Sequence, residues 1–209
     1  MNAPERSRRF AVAALLFEGG LVVLALLSGG LLQRNPLPGI GGESDGWSDL
    51  LAVAWGVAAA LPMLAGLLLI ERLPFGPLRS LQQTVQDQLV PLIRHWTIPQ
   101  MATISLAAGF GEEMLFRGLL QTGLADFWNG TQGVVLAVLL ASLAFGVCHW
   151  LTPTYALLAA AVGVYLGLLL ILFDNLLVPV VAHAVYDFIA LIHLARTPEE
   201  PPAAEASED

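Results

Sequence analysis

The sequence predicts an all-α protein, a polytopic bundle of about six transmembrane helices with one further amphipathic helix at the membrane interface. Its composition is the first reason, because 56% of the 209 residues are hydrophobic and only 12% are charged. Soluble domains carry about 25% charged residues, so this chain has too few charges to cover a water-facing surface. The apolar runs are also continuous rather than alternating, which excludes a membrane β-barrel.

Six apolar segments are long enough to cross a bilayer, for which about 20 residues are needed. They cover residues 10–32, 50–70, 99–125, 133–151, 154–173 and 176–195. Residues 78–90 differ, because apolar side chains recur there at helical intervals with polar residues between them. This spacing predicts the amphipathic helix in the membrane interface.

A single transmembrane domain, residues 1–197, accounts for all of these segments. The remaining residues, 198–209, are acidic and contain no apolar run, so we predict a disordered cytoplasmic tail. All nine basic residues are arginines; Arg34 would lie outside, Arg117 lies within a span, and the other seven would lie on the cytoplasmic side. Because basic residues accumulate on that side, we predict a plasma (inner) membrane protein with both termini in the cytoplasm.

Ionisable side chains within the apolar spans need an explanation, since each costs about 2.5–3.5 kcal/mol to insert into a membrane. Three spans contain them: Glu112, Glu113 and Arg117 in the third, His149 near the end of the fourth, and His183 and Asp187 in the sixth. Glu113 and Arg117 are four residues apart, which predicts an ion pair on one helix face. Glu112 is rotated by about 100° from Glu113 and is free to face a cavity.

The polar residues of the three spans can meet in one site. Phe145 and His149 share a helix face, as do His183 and Asp187, because residues four apart lie one above the other. In such a site a glutamate can act as general base on water, and a histidine can position that water or protonate a leaving amine. A second histidine and a short polar side chain can stabilise an oxyanion. These are the parts of an acid–base peptidase that needs no Ser or Cys nucleophile.

The three motifs together resemble the CAAX protease and bacteriocin-processing family, also called Abi. Residues 112–117 read EEMLFR and match its EExxxR motif, residues 145–149 read FGVCH and match FxxxH, and residues 183–187 read HAVYD and match HxxxN/D. The resemblance covers residues 99–195, the expected catalytic core. It implies an intramembrane endopeptidase, similar to CAAX prenyl proteases, that acts in the lipid bilayer on a membrane-associated, prenylated or bacteriocin-like substrate. We expect no nucleic-acid partner.

The resemblance also implies roles for the residues of the motifs. Glu112 would be the base that activates water, with His149 beside it, and His183 and Asp187 would match the oxyanion-binding pair. Prenyl-protease members carry Asn at the position of Asp187. An ionised Asp accepts hydrogen bonds but cannot donate them. Asp187 would therefore be protonated, orient His183 or bind a metal.

The remaining expectations concern the residues that support the site and those that could bind a metal. Glu113, Arg117 and Phe145 would support the site. Glu112, His149 and His183 form a set of two histidines and one carboxylate, which is a ligand pattern of catalytic zinc. The chain has no HExxH motif, and we favour a glutamate-type mechanism with no required cofactor, with zinc as the alternative.

Two other classes of function remain open from the sequence. A non-catalytic membrane scaffold or a bacteriocin self-immunity protein could keep the polar core for packing or recognition. A proton-coupled transporter could use the same Glu, His and Asp groups as a proton relay. The transporter hypothesis is weaker, because the two halves of the chain show no repeat symmetry.

The predicted depths of two site residues conflict. Glu112 lies about 20 Å along its helix from residue 99, whereas His149 lies near the cytoplasmic end of the fourth span. Either residues 99–105 lie in the interface or the third span is tilted and displaced. We favour the first explanation, with the span nearer residues 105–126.

Overall fold

A computed structural model describes residues 2–41, 46–73 and 75–197 of the chain. In these ranges the structure contains nine α-helices, two π-helical segments and no strand. The all-α prediction is therefore confirmed. The predicted acidic tail, residues 198–209, lies outside the described residues.

The α-helices are α1 (Ala3–Leu32), α2 (Gly46–Arg72), α3 (Gly76–Thr84), α4 (Val90–Ile93), α5 (Ile98–Glu113), α6 (Thr122–Trp128), α7 (Gly130–Cys148), α8 (Pro153–Phe173) and α9 (Leu177–Arg196). The π-helical segments are Val85–Leu89 and Met114–Gln121. The second of them joins α5 to α6, so the chain is helical without a break from residue 98 to residue 128.

Among the described residues, five helices are long and apolar enough to cross a membrane, namely α1, α2, α7, α8 and α9. The third predicted span corresponds to the continuous helical stretch from α5 to α6. Its polar residues lie inside the protein, where Glu113 and Arg117 are fully buried. The chain is thus a helical membrane protein, and the predicted bundle of about six helices is confirmed.

Helix α5 lies between α1 and α9, and glycines permit both contacts. A Cβ atom added at Gly109 would lie 2.8 Å from the carbonyl oxygen of Val180 on α9. One added at Gly111 would lie 2.7 Å from the carbonyl oxygen of Glu18 on α1. Small residues of this kind let transmembrane helices approach closely. These two close contacts determine how far along α5 the helices α1 and α9 pack against it.

The predicted amphipathic segment forms a helix that begins at Gly76. Its apolar residues Leu78 and Leu81 are buried within the protein. The π-helical segment and α4 continue it, and Ile93 at the end of α4 is fully buried. The helix is confirmed, while its location in the membrane interface stays a prediction.

Hydrogen bonds tie the start of α1 to the connection between α4 and α5. The Ser7 hydroxyl donates to the Leu92 carbonyl oxygen at 2.7 Å, and the Trp96 indole nitrogen donates to the Ser7 carbonyl oxygen at 3.1 Å. Thr97 and Gln100 form a capping box that begins α5. The start of α1, the start of α5 and the end of α9 lie at the same end of the bundle. This end is called the N-terminal face below.

Candidate active site

The structure brings together all seven residues that the sequence predicted for the site. Glu112 and Glu113 end α5, and Arg117 lies in the π-helical segment after it. Phe145 lies in α7, and His149 directly follows the end of that helix. His183 and Asp187 lie one turn apart on α9.

A buried ion pair forms the support of the site. The Glu113 Oε1 atom accepts hydrogen bonds from Arg117 Nη1 and from His183 Nδ1, both at 2.8 Å. The side chains of Glu113 and Arg117 are completely buried. The Arg117 guanidinium also lies 4.3 Å above the Phe145 ring, a cation–π distance. The predicted pair between Glu113 and Arg117 is therefore present, and it also holds His183.

Helix α8 accepts two further hydrogen bonds from the helical stretch that carries Arg117. Arg117 Nη2 donates to the Gly163 carbonyl oxygen at 3.1 Å, and Gln121 Nε2 donates to the Gly167 carbonyl oxygen at 3.1 Å. A Cβ at Gly163 would crowd Ser142 at 3.0 Å, and one at Gly167 would lie 2.5 Å from Oε1 at the end of the Gln121 side chain. Both donors belong to the π-helical segment, a form that is frequent at functional sites.

The Glu112 carboxylate occupies a different position from that of Glu113. Glu112 is 7% exposed. Its Oε2 atom has no hydrogen-bond partner among the described residues. This oxygen lies 3.5 Å from His149 Nε2 and 3.9 Å from His183 Nε2. Such distances are too long for good direct hydrogen bonds and too short for a water molecule to lie between the atoms, so a water that contacts both would lie to one side of them.

The other ring nitrogens determine which tautomers the two histidines adopt. His149 Nδ1 lies 2.8 Å from the Phe145 carbonyl oxygen, and His183 Nδ1 lies 2.8 Å from the Glu113 carboxylate. Carbonyl oxygens and carboxylates accept hydrogen bonds, so each Nδ1 carries the proton. In a neutral ring the Nε2 atom is then an acceptor that faces Glu112. Two acceptors that face each other need a hydrogen-bond donor that contacts both.

Phe145 fixes the orientation of the histidine rings. It stacks on His149 with 4.3 Å between ring centroids and 30° between ring planes. The ring centroids of Phe145 and His183 lie 5.9 Å apart, and the two ring planes are inclined at 72°. The FxxxH motif thus supplies both a ring and a backbone carbonyl that hold His149 in place.

The site is closed around the glutamates and open at His149 and Asp187. The side chains of His149 and Asp187 are 24% and 31% exposed, whereas those of Glu112 and Glu113 are 9% and 0% exposed. The Asp187 Oδ2 atom lies 3.5 Å from His183 Nε2. A substrate therefore reaches Glu112 past His149 and Asp187.

The structure shows how Glu112 and His149 meet despite their predicted depths. Helix α5 begins at Ile98 and is unbroken through residue 105, and the His149 Nε2 atom lies 3.5 Å from Glu112 Oε2. Fourteen residues separate Ile98 from Glu112, which corresponds to about 20 Å of helix. The connection between α7 and α8 therefore ends about 20 Å from the N-terminal face. That residues 99–105 lie in the membrane interface, with the span nearer residues 105–126, stays a prediction.

Glu18 is a further acidic residue at the site that the sequence prediction missed. It lies in the middle of α1, and its Oε2 atom is buried without a hydrogen-bond partner in the described part of the chain. Its carbonyl oxygen lies against Gly111, the residue before Glu112, where an added Cβ would be 2.7 Å away. The available signal was a lone acidic residue in the apolar run 10–32, which is rare in a membrane span unless it has a function.

The predicted zinc ligands do not form a closed ligand set. In the ranges that the structure describes, no group of three or more His, Cys, Asp or Glu side chains is arranged to hold a metal ion. His149 and His183 each direct Nε2 towards Glu112 Oε2, at 3.5 Å and 3.9 Å. That no cofactor is required stays a prediction.

A comparison with known protein families matches residues 94–189 to the family described as type II CAAX prenyl endopeptidase, Rce1-like. Residues 94–189 are similar to that family. The match contains all seven predicted site residues and confirms the resemblance inferred from the motifs. Helices α1, α2, α3 and α4 lie outside it. Searches among curated proteins and among solved structures found no significant match. An Rce1-like domain in a bundle of membrane-spanning helices supports a membrane endopeptidase.

Proposed function

We propose that this protein hydrolyses a peptide bond of a membrane-associated substrate with a water molecule that Glu112 activates. One observation carries the proposal: the buried Glu112 Oε2 atom has no partner among the described residues and lies 3.5 Å from His149 Nε2. Both atoms accept hydrogen bonds. A water molecule to one side of this pair can donate one hydrogen to each atom, which directs a lone pair of its oxygen away from them and towards a substrate.

The reaction follows from that arrangement. Glu112 takes a proton from the water as its oxygen adds to the carbonyl carbon of the scissile bond. The carbonyl π-electrons move to oxygen and form an oxyanion. When the oxyanion collapses, the carbon–nitrogen bond breaks and the leaving nitrogen takes the proton from Glu112. His149 holds the water and can carry this proton towards the leaving nitrogen.

We assign the oxyanion to the His183 side of the site. Its Nδ1 atom donates to Glu113, so its Nε2 atom donates only when the ring carries a second proton. In that form the ring is a cation beside Asp187, whose Oδ2 atom lies 3.5 Å from Nε2. In this assignment Asp187 orients His183 and balances its charge. No step passes through a metal ion.

The substrate class follows from the membrane and from the family. The family description names a CAAX prenyl endopeptidase, and a prenylated or bacteriocin-like chain end lies in the bilayer where this site can reach it.

The orientation in the membrane is assigned from the arginines, whose distribution favours a plasma membrane protein with both termini in the cytoplasm. Cys148 is the chain's only cysteine and is exposed beside His149. A membrane-impermeant maleimide should label it in inside-out vesicles and leave it unlabelled in intact cells.

Peptide termini in the membrane proteome test the proposed function. Four strains are compared, which carry the wild type, Glu112→Gln, His149→Ala or a deletion of the protein. New termini that occur only with the wild type would support proteolysis and name the substrate. Identical termini in all four strains, with point variants that still rescue the deletion phenotype, would contradict it and favour a scaffold or immunity role.

A further inference from the structure

Helix α1, which lies outside the family match, contributes an acidic side chain to the site. The backbone of Glu18 packs against Gly111, the residue before Glu112, where an added Cβ would lie 2.7 Å from the Glu18 carbonyl oxygen. One carboxylate oxygen of Glu18 is buried and has no partner in the described ranges. Phe17 beside it is 64% exposed. Glu18 lies on the side of α1 that faces α5, as do Leu21 and Val22.

The contacts of α5 place Glu18 and Asp187 on opposite sides of Glu112. Gly109 contacts α9, and Gly111 contacts α1 at the Glu18 carbonyl oxygen. These glycines are two residues apart and point about 200° from each other around α5. Glu112 points about 60° from Gly109 and about 100° from Gly111. It thus lies at the floor of a groove whose walls are α9 with Asp187 and α1 with Glu18.

An unpaired carboxylate in this groove needs a hydrogen-bond donor. Burying an acceptor without a partner costs about 1–3 kcal/mol. The neighbouring groups are the Glu112 and Asp187 carboxylates and the Nε2 atoms of His149 and His183. Arg117 Nη1 and Nη2 donate to Glu113 and Gly163. No described residue donates to the buried Glu18 oxygen. The partner of Glu18 is therefore a donor that enters the groove, either a water molecule or an N–H group of the substrate.

We propose that Glu18 is a positioning residue of the active site, which accepts a hydrogen bond from the water that reaches Glu112. This inference rests on the proposed hydrolytic function. It adds a residue from outside the family domain to the site. A residue that positions the water affects kcat, whereas one that contacts the substrate affects KM.

Kinetics of three α1 variants test this role in the full-length protein, reconstituted in lipid vesicles. The probe is a synthetic peptide that spans the bond identified by the comparison of termini. Glu18→Leu removes the acceptor and keeps the approximate size, Glu18→Gln keeps an acceptor oxygen, and Phe17→Leu is the matched control from the lipid-facing side. Wild type and Glu112→Gln serve as references for the hydrolytic function itself.

Glu18→Leu is expected to lower kcat roughly 10-fold, with KM within about twofold of the wild type, as for loss of one hydrogen bond. Glu18→Gln should keep at least about a third of the wild-type kcat, because it retains an acceptor oxygen. Phe17→Leu should match the wild type. Glu18→Leu should unfold at the wild-type temperature or above it, because it replaces an unpaired buried acceptor with an apolar group.

Three outcomes would overturn the inference. The first is a Glu18→Leu variant as active as Phe17→Leu. The second is an effect on KM alone, which would make Glu18 a substrate contact. The third is a joint loss of kcat and thermal stability, which would make its role structural. A wild type no more active than Glu112→Gln would instead contradict the proposed function.

Discussion

Glu112 and Glu113 are adjacent in the chain, yet their carboxylates face different partners. Glu113 Oε1 accepts hydrogen bonds from Arg117 and His183 at 2.8 Å, whereas Glu112 Oε2 has no such partner among the described residues. The difference arises because successive helical residues are rotated by about 100°. One glutamate is thereby committed to the support of the site, and the other is left available for chemistry.

Glu113→Gln is expected to destabilise the protein. The change leaves the Arg117 charge buried without its counter-ion and weakens the hydrogen bond from His183. Breaking a buried ion pair on one side costs about 3–5 kcal/mol. Unfolding of the purified protein in detergent measures the loss. Glu112→Gln is the matched control and should be as stable as the wild type, so equal stability of both variants would contradict the assigned roles.

Gly111→Ala is expected to push α1 away from α5. The new Cβ would lie 2.7 Å from the Glu18 carbonyl oxygen and 2.9 Å from the Leu21 Cβ atom. Overpacking of this kind costs about 1–3 kcal/mol. The loss should appear in the unfolding temperature and, because Glu18 moves with α1, in kcat.

Gly20→Ala is the control for that substitution. It lies in α1 with nothing within 4 Å of its added Cβ. Since alanine is favoured over glycine in helices by up to about 1 kcal/mol, this variant should be as stable as the wild type or more stable. A Gly111→Ala variant that behaves like Gly20→Ala would show that α1 and α5 do not pack as closely as described.

His149→Ala is expected to lower kcat at least about 100-fold, as for loss of a group that acts in proton transfer. The fold should be retained, because His149 is partly exposed and its Nδ1 atom bonds only to the adjacent Phe145 carbonyl oxygen. The peptide assay measures the change. His193→Ala is the control, since His193 pairs with Glu71 at 2.9 Å on the partly exposed end of α9. Equal activity of the two variants would remove His149 from the mechanism.

Metal removal tests the prediction that no cofactor is required. Dialysis against a strong zinc chelator should leave kcat within about twofold of the untreated protein, because Glu112 activates the water without a Lewis acid. Metal content measured on the same samples serves as the control for complete removal. A loss of activity that added zinc restores would instead support the alternative set of Glu112, His149 and His183.

The helices and the membership of the site were predictable from the sequence for a physical reason. Apolar runs of about 20 residues have few stable forms other than membrane-spanning helices. Ionisable residues within such runs must find one another, since each is costly to bury alone. For that reason the amino-acid sequence alone is enough to predict that Glu113, Arg117, His149 and His183 share one site.

Two features depend on tertiary packing and were not predictable from local pattern. The depth of His149 depends on how far α7 extends along α5. The sequence of neither helix indicates that distance. The contact between His183 and Glu113 depends on the close approach of α9 at Gly109. Glu18 differs from both, because it belongs to no motif and its place in an apolar run was the only signal that marked it.

The rate of peptide cleavage by purified Glu112→Gln in lipid vesicles decides whether Glu112 activates the water. Glutamine keeps the size of the side chain but cannot take a proton from water. The rate should fall about 1,000-fold or more, within the range for loss of a general base, with no loss of thermal stability. A stably folded Glu112→Gln protein that cleaves the peptide within about 10-fold of the wild-type rate would contradict the proposed mechanism.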